Sequence, residues 1–133
     1  MTASVQSTRD PGSPSRVRIA YLVSHPIQYQ APLLRRIALE PDIELTVLFG
    51  SDFSVRGYKD RGFGVDVLWD TPLLEGYASE FLRSWRDTGG VSPTTPISRG
   101  IYRRLQRIDG RPAFDALWVH GYASVNSLQG ILA

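Results

Sequence analysis

The chain contains no cysteine among its 133 residues. This excludes thiolate nucleophiles, CxxC redox pairs, cysteine-ligated zinc and iron–sulfur clusters. Long apolar runs are also missing, because no stretch approaches the roughly 18 apolar residues of a membrane span. The amino-terminal segment lacks the apolar block of at least about seven residues that a secretory signal needs. We therefore expect a cytoplasmic protein.

A large excess of charge of one sign is missing as well. One lysine, Lys59, and 14 arginines oppose 13 acidic residues, so the net charge is only +2. Such a balance does not require a polyanionic partner, and we expect no nucleic acid. One cluster is more basic than the rest of the chain. It is either a solvated helix face or a peripheral contact with anionic lipid at the inner membrane face. It consists of Arg99, Arg103, Arg104 and Arg107.

The composition that is present suits one folded domain. Hydrophobic residues make up 42% of the chain, which is enough for a core. Residues 1–15 are rich in Ser, Thr, Pro and Gly and predict a disordered leader, so the domain spans residues 16–133. The last helix runs to Ala133 with an apolar stripe that has no continuation. We therefore expect a chain that is cut within an element.

Strand and helix patterns alternate along the domain. Apolar strands are predicted at Val17–Val23, Ile43–Phe49, Val65–Trp69 and Phe114–Val119, the first and last of them buried. Helices are predicted from about Ala31 to Glu40, over 98–108, and after a capping Ser124, whereas 50–64 and 71–96 are predicted as long connections. This order indicates an α/β fold, a Rossmann-like open and mostly parallel sheet with helices on both faces.

The loop after the first strand is the first candidate site, because ligands of open α/β sheets bind beyond the carboxyl ends of the strands. No glycine lies between Val17 and Phe49, so this loop is not a dinucleotide-binding GxGxxG turn. Its polar side chains can instead bond hydroxyls and phosphate oxygens, or merely fill a polar turn. The predicted substrate-binding residues are His25, Gln28, Tyr29 and Gln30.

The segment after the last strand is the second candidate. His120 is a hydrogen-bond donor for a hydroxyl or phosphate, and Gly121 and Tyr122 follow it as further substrate contacts; the alternative for His120 is a bond within the turn. Arg56 and Lys59 are candidate anion contacts. Two histidines without an adjacent carboxylate make no zinc signature, so no metal is predicted. Neither GxSxG nor a P-loop occurs, which removes the main support for hydrolase and NTPase functions.

Three sequence runs together resemble a known family. They are VRIAYLVSHPIQYQAPLLRRIA, DIELTVLFGSDFSVRGYKDRGFGVDVLWDTPLLEGY and FDALWVHGYAS. They resemble the amino-terminal domain of bacterial family-4-type glycosyltransferases, which have two Rossmann-like domains across a cleft, the GT-B fold. The most specific parts are SHPIQYQAPLLR and LFGSDFSVRGYKDRGFG.

The resemblance implies a function and a partner domain. It implies retaining transfer from a nucleotide sugar to a glycan or lipid-linked acceptor, without a protein-bound metal or other cofactor, in cell-envelope polysaccharide biosynthesis. His120 would be the catalytic residue, and the loops after the first and last strands would face the cleft. The carboxy-terminal donor-binding domain is missing, so the isolated fragment would be inactive. The alternative is a non-catalytic α/β module for ligand binding or regulatory interaction.

Overall fold

The structure, a computed structural model, describes residues 15–56, 58–59, 66–67, 72–86, 92–106, 110–121 and 124–133. The predicted leader therefore lies outside the described residues except for Ser15. The strands are β1 (Val17–Val23), β2 (Ile43–Phe49), β3 (Tyr58–Lys59), β4 (Asp66–Val67), β5 (Ala78–Phe81), β6 (Arg83–Arg86), β7 (Ile97–Arg99) and β8 (Ala116–Val119). The helices are α1 (Ala31–Ala38), α2 (Phe53–Arg56), α3 (Ile101–Leu105) and α4 (Val125–Leu132).

The main sheet has four strands in the order β5-β2-β1-β8, and every neighbouring pair is parallel. The chain moves outward from β1 through β2 to β5 and then returns to place β8 on the other side of β1. This reversal is a topological switch point between β1 and β8, where an open α/β sheet forms a crevice. The fold is α/β and Rossmann-like, which confirms the predicted class.

Alternate side chains of β1 enter two separate cores. Tyr21 and Val23 pack with Leu34 of α1, whereas Ala20 and Leu22 pack with Ile101 of α3. Strand side chains alternate between the faces of a sheet, so one apolar strand supplies both cores. Helices therefore cover both faces, and the predicted bounds of β1 and β2 are confirmed.

Several predicted connections contain regular structure. The predicted loop 50–64 includes α2 and β3. Of the strand predicted at Val65–Trp69, the structure describes Asp66 and Val67, which form β4 and pair antiparallel with β3 outside the main sheet. Within the predicted connection 71–96, β5 joins the main sheet beside β2, and β6 pairs antiparallel with β7. These strands have two to four residues each, too few for a hydrophobic period to show.

Two further predictions need correction. In the described part of the helix predicted over 98–108, only α3 is helical, because Ile97–Arg99 pairs with β6 as a strand, Gly100 adopts φ +73° and Gln106 is extended. Arg99 therefore lies on β7 and not on a helix face. The last strand was predicted to be buried, but β8 has exposed and half-buried residues in alternation, since no described strand covers its outer edge.

Candidate functional site

A cavity of about 310 Å³ opens at the switch point between β1 and β8. Ser24 reaches it from the end of β1, and His120 and Gly121 reach it from the end of β8. The remaining lining residues are Ser92, Pro93, Ser124 and Ser127. These seven described residues include four serines and no carboxylate, lysine or arginine. The lining thus offers hydroxyl groups and one imidazole to a ligand.

Residues of α2 contact the loop after β1 and hold it in place. The His25 ring packs on Phe53 with 4.6 Å between ring centroids, and the Ser54 hydroxyl donates to the carbonyl oxygen of Pro26 at 2.8 Å. Ser24 Oγ lies 2.9 Å from His25 Nδ1. Pro26 disfavours helical backbone at His25, so the chain leaves β1 in a bend before α1 begins.

Burial lowers the pKa of His25 to about 4. The charged imidazolium loses its hydration in this half-buried position, so the neutral ring is favoured. A base with so low a pKa draws a proton from a serine hydroxyl poorly. The Ser24–His25 contact therefore orients the loop and does not form an activated nucleophile.

Gln30 and His120 join the two predicted loops. Gln30 Nε2 lies 2.7 Å from His120 Nε2, across 90 positions of sequence. Gln30 is only 3% exposed because it precedes α1 under the sheet edge, and its Oε1 has no hydrogen-bond partner among the described residues. The backbone N–H of His120 donates to the carbonyl oxygen of Leu22 at 2.8 Å, which extends the β1–β8 pairing to the site.

The amino-terminal end of α4 forms the third wall. Ser124 caps the helix, as the sequence predicts, because its Oγ accepts from the Ser127 N–H at 3.3 Å. The two serine hydroxyls are 3.0 Å apart. The N–H of Val125 donates to the Pro93 carbonyl oxygen at 2.9 Å and holds the incoming connection against the helix. Gly121 has φ +79°, a conformation that glycine adopts without strain.

Of the predicted site residues that the structure describes, only His120 and Gly121 line this cavity; His25 and Gln30 lie behind it. Gln28 is half-buried, and Tyr29 is 71% exposed. Tyr122 lies outside the described residues, as does the side chain of Lys59. Arg56 makes an ion pair with Asp52 at 2.7 Å.

The arginine cluster is partly engaged in local contacts. Arg104 donates two hydrogen bonds of 2.7 Å to Glu80, which lowers the pKa of that carboxyl, and its guanidinium stacks on Phe114. Arg99 lies over the Trp85 ring, 5.4 Å from its centroid. Arg103 is exposed, and Arg107 lies outside the described residues. In the part of the chain that the structure describes, no helix is long and apolar enough to cross a membrane.

Sequence reasoning missed Ser24, Ser92, Pro93 and Ser127 as part of the site, and it predicted Ser124 only as a helix cap. Ser92 and Pro93 belong to an irregular connection, and only the contact of Pro93 with α4 brings them to the cavity. Ser127 carried a usable signal, since a residue three positions after a capping serine faces the same helix end. Among the described residues, no group of three or more acidic or histidine side chains is placed to hold a metal.

The site has to be interpreted from its own geometry. Two loops that follow parallel strands meet there through a buried amide and an imidazole. No protein-family model matches the sequence, and neither the curated proteins nor the solved structures contain a match to it.

Proposed function

We propose that this chain is the acceptor-side domain of a glycosyltransferase that moves a sugar from a nucleotide sugar to a glycan or lipid-linked acceptor, with retention of configuration. The observation that carries the proposal is the cavity at the switch point, which His120 lines and beneath which the buried Gln30 contacts the His120 ring. This is the position at which an open α/β sheet binds its ligand. Both residues belong to segments that resemble the family's cleft loops.

The chemistry of the lining supports a polyhydroxyl ligand. Each of the four serine hydroxyls has a protein partner and keeps further lone pairs for the hydroxyls of a sugar, and no charged side chain is among the described lining residues. The cavity is open to solvent on one side. A site of this kind selects by hydrogen-bond geometry rather than by net charge.

His120 is the proposed catalytic residue. Retaining transfer from a nucleotide sugar places negative charge on the departing phosphate, and a positioned N–H donor stabilises such charge. Because the pKa of His25 is about 4, His25 is not assigned the role of base. The proposed role of His25 is to shape the loop that carries Gln30.

The proposal includes a partner domain. In the family that the sequence resembles, a second Rossmann-like domain grips the nucleotide sugar, and closure of two domains positions donor and acceptor and excludes water. We place the reaction in the cytoplasm and in cell-envelope polysaccharide biosynthesis. Membrane contact is not included, since Arg99 and Arg104 already have partners on Trp85 and Glu80.

The binding half of the proposal is tested on this chain. The ¹⁵N-labelled protein is titrated with a panel of nucleotide sugars and with simple saccharide acceptors, and amide shifts are followed by NMR. We expect saturable shifts confined to Ser24, His120, Gly121 and Ser124. His120→Ala should weaken binding at least tenfold, whereas Leu39→Ala, at a 74% exposed position after α1, should leave it unchanged.

The transfer half is tested on the full-length gene product with the same donors. Turnover of at least one nucleotide sugar, lost in His120→Ala and retained in Leu39→Ala, is the expected result. Unchanged kinetics in His120→Ala would remove that residue from the site. Sugar binding without any transfer would favour a ligand-binding module. The absence of both binding and transfer would overturn the proposal.

A further inference from the structure

The amide of Gln30 stands in an unusual environment for a glutamine. It is buried, and in the described part of the chain its one side-chain hydrogen bond is the 2.7 Å contact with His120. The atom at the Oε1 position has no partner among the described residues. A buried amide with an unpartnered oxygen is costly, and loss of the contact with His120 would add to that cost.

Two arrangements of protons fit this contact. In the first, the Gln30 NH₂ group donates to an unprotonated His120 Nε2, and the proton of the neutral ring is on Nδ1. In the second, the amide is turned round, so that its oxygen accepts from a protonated Nε2 and its NH₂ group occupies the unpartnered position. Among the described residues, the first arrangement leaves the carbonyl oxygen and one N–H without a partner, whereas the second leaves two N–H groups. An under-satisfied carbonyl oxygen is more common in protein interiors than an orphaned N–H group. The first arrangement is therefore favoured.

We propose that Gln30 is a positioning residue that holds His120 as the neutral Nδ1–H tautomer. Nδ1–H is then the ring's donor, and Nε2 is occupied as an acceptor. The hydrogen bond at one ring nitrogen fixes the proton on the other, as in many histidine sites. Resting on the proposed function, this makes His120 a hydrogen-bond donor toward a phosphate or sugar oxygen and not a general base through Nε2.

The experiment reads the tautomer directly. The chain has two histidines, so selective ¹⁵N labelling of histidine gives two sets of ring signals in a long-range ¹H–¹⁵N spectrum. At about pH 8, above the ordinary imidazole range, the unprotonated nitrogen of each neutral ring resonates far downfield of the protonated one. We expect His120 to show an unprotonated Nε2 and a protonated Nδ1.

Two variants separate positioning from a general structural effect. Gln30→Met keeps the length of the side chain but cannot hydrogen-bond, so the His120 signals should shift toward a mixture of tautomers. Gln30→Glu can only accept, so it should reverse the tautomer to Nε2–H. His25 is the internal reference, because its own contact is with Ser24, and its signals should stay unchanged in both variants.

The result that overturns the inference is equally direct. A parent protein with His120 in the Nε2–H form, or a folded Gln30→Met variant that keeps the Nδ1–H pattern alone, is incompatible with it. If Gln30→Glu does not fold, Gln30→Met decides. The readout needs no sugar or transfer, so a protein that shows this tautomer but neither binds a nucleotide sugar or acceptor nor transfers a sugar would overturn the proposed function and leave the role of Gln30 standing.

Discussion

The loops that follow β1 and β8 at the carboxyl edge of the sheet differ in how they hold their histidines. Each follows a strand and begins with a serine–histidine or histidine–glycine sequence, and each precedes a helix. In the loop after β1, His25 is packed on Phe53 and the Pro26 carbonyl is held by Ser54. After β8, His120 is exposed, and its side chain is bonded to Gln30 from the first loop.

The difference follows from the places of the two strands in the sheet. β1 lies between β2 and β8, and α2 packs under the loop that follows it, so that loop is enclosed. β8 has a described neighbour on one side only, and the segment after it opens into the cavity. Two histidines that both follow parallel strands therefore have different environments. His25 is enclosed against α2, and His120 is exposed beside the cavity.

The largest effect should come from removing the support of the enclosed loop. Phe53 is 6% exposed, so Phe53→Ala removes a buried ring from beneath His25 and should lower the free energy of unfolding by about 3 kcal/mol in urea. Val55→Ala on the same helix is the control, because Val55 is 39% exposed and should change stability by less than about 0.5 kcal/mol. Equal costs for the two variants would mean that the loop does not depend on α2.

A smaller effect should appear as pH dependence. The folded-state pKa of His25, about 4, lies below the ordinary value of 6.5, so the unfolded chain binds the proton more readily. Stability contributed by the neutral ring is therefore present above pH 6.5 and is lost as pH falls from 6.5 toward 4. Between pH 7 and pH 5, the free energy of unfolding should fall by about 2 kcal/mol through His25.

The measurement compares the urea midpoint at the two pH values in the parent and in His25→Gln. Other groups that titrate in this window act on both proteins, so the difference in slope belongs to His25. The variant should lose most of the acid sensitivity that the parent shows. Parallel pH profiles would place His25 in a solvated environment and remove the contrast between the two loops.

The smallest effect is expected in the open loop. Among the described residues other than its chain neighbours, no atom lies within 4 Å of a Cβ built on Gly121, so Gly121→Ala should add mainly the strain of φ +79°, about 1 kcal/mol. Gly50→Ala is the matched substitution after β2, where the added Cβ would lie 2.8 Å from Pro96 Cγ and 2.9 Å from Asn126 Nδ2. That crowding should cost about 2 kcal/mol in thermal or urea unfolding. A larger cost at Gly121 than at Gly50 would show that the open loop is packed.

Patterns within short stretches of sequence were sufficient for part of this fold. The apolar run of β1 predicted its bounds, the proline in the first turn of α1 predicted where that helix begins, and Ser124 predicted the cap of α4. β5 was missed because its residues, Ala78–Phe81, are largely exposed and show no alternation. It becomes a strand by pairing with β2, which local sequence does not encode.

The candidate site, like the fold, was predictable from local sequence only in part. The sequence by itself determined that polar residues follow β1 and β8, because strand ends and turn residues are set by neighbouring positions. Only the tertiary structure decided that His25 is half-buried and that Gln30 reaches His120 across 90 positions of sequence. That contact depends on the return of the chain beside β1. Strand order is set by packing of the whole sheet, so no local pattern could have assigned the two histidines their different environments.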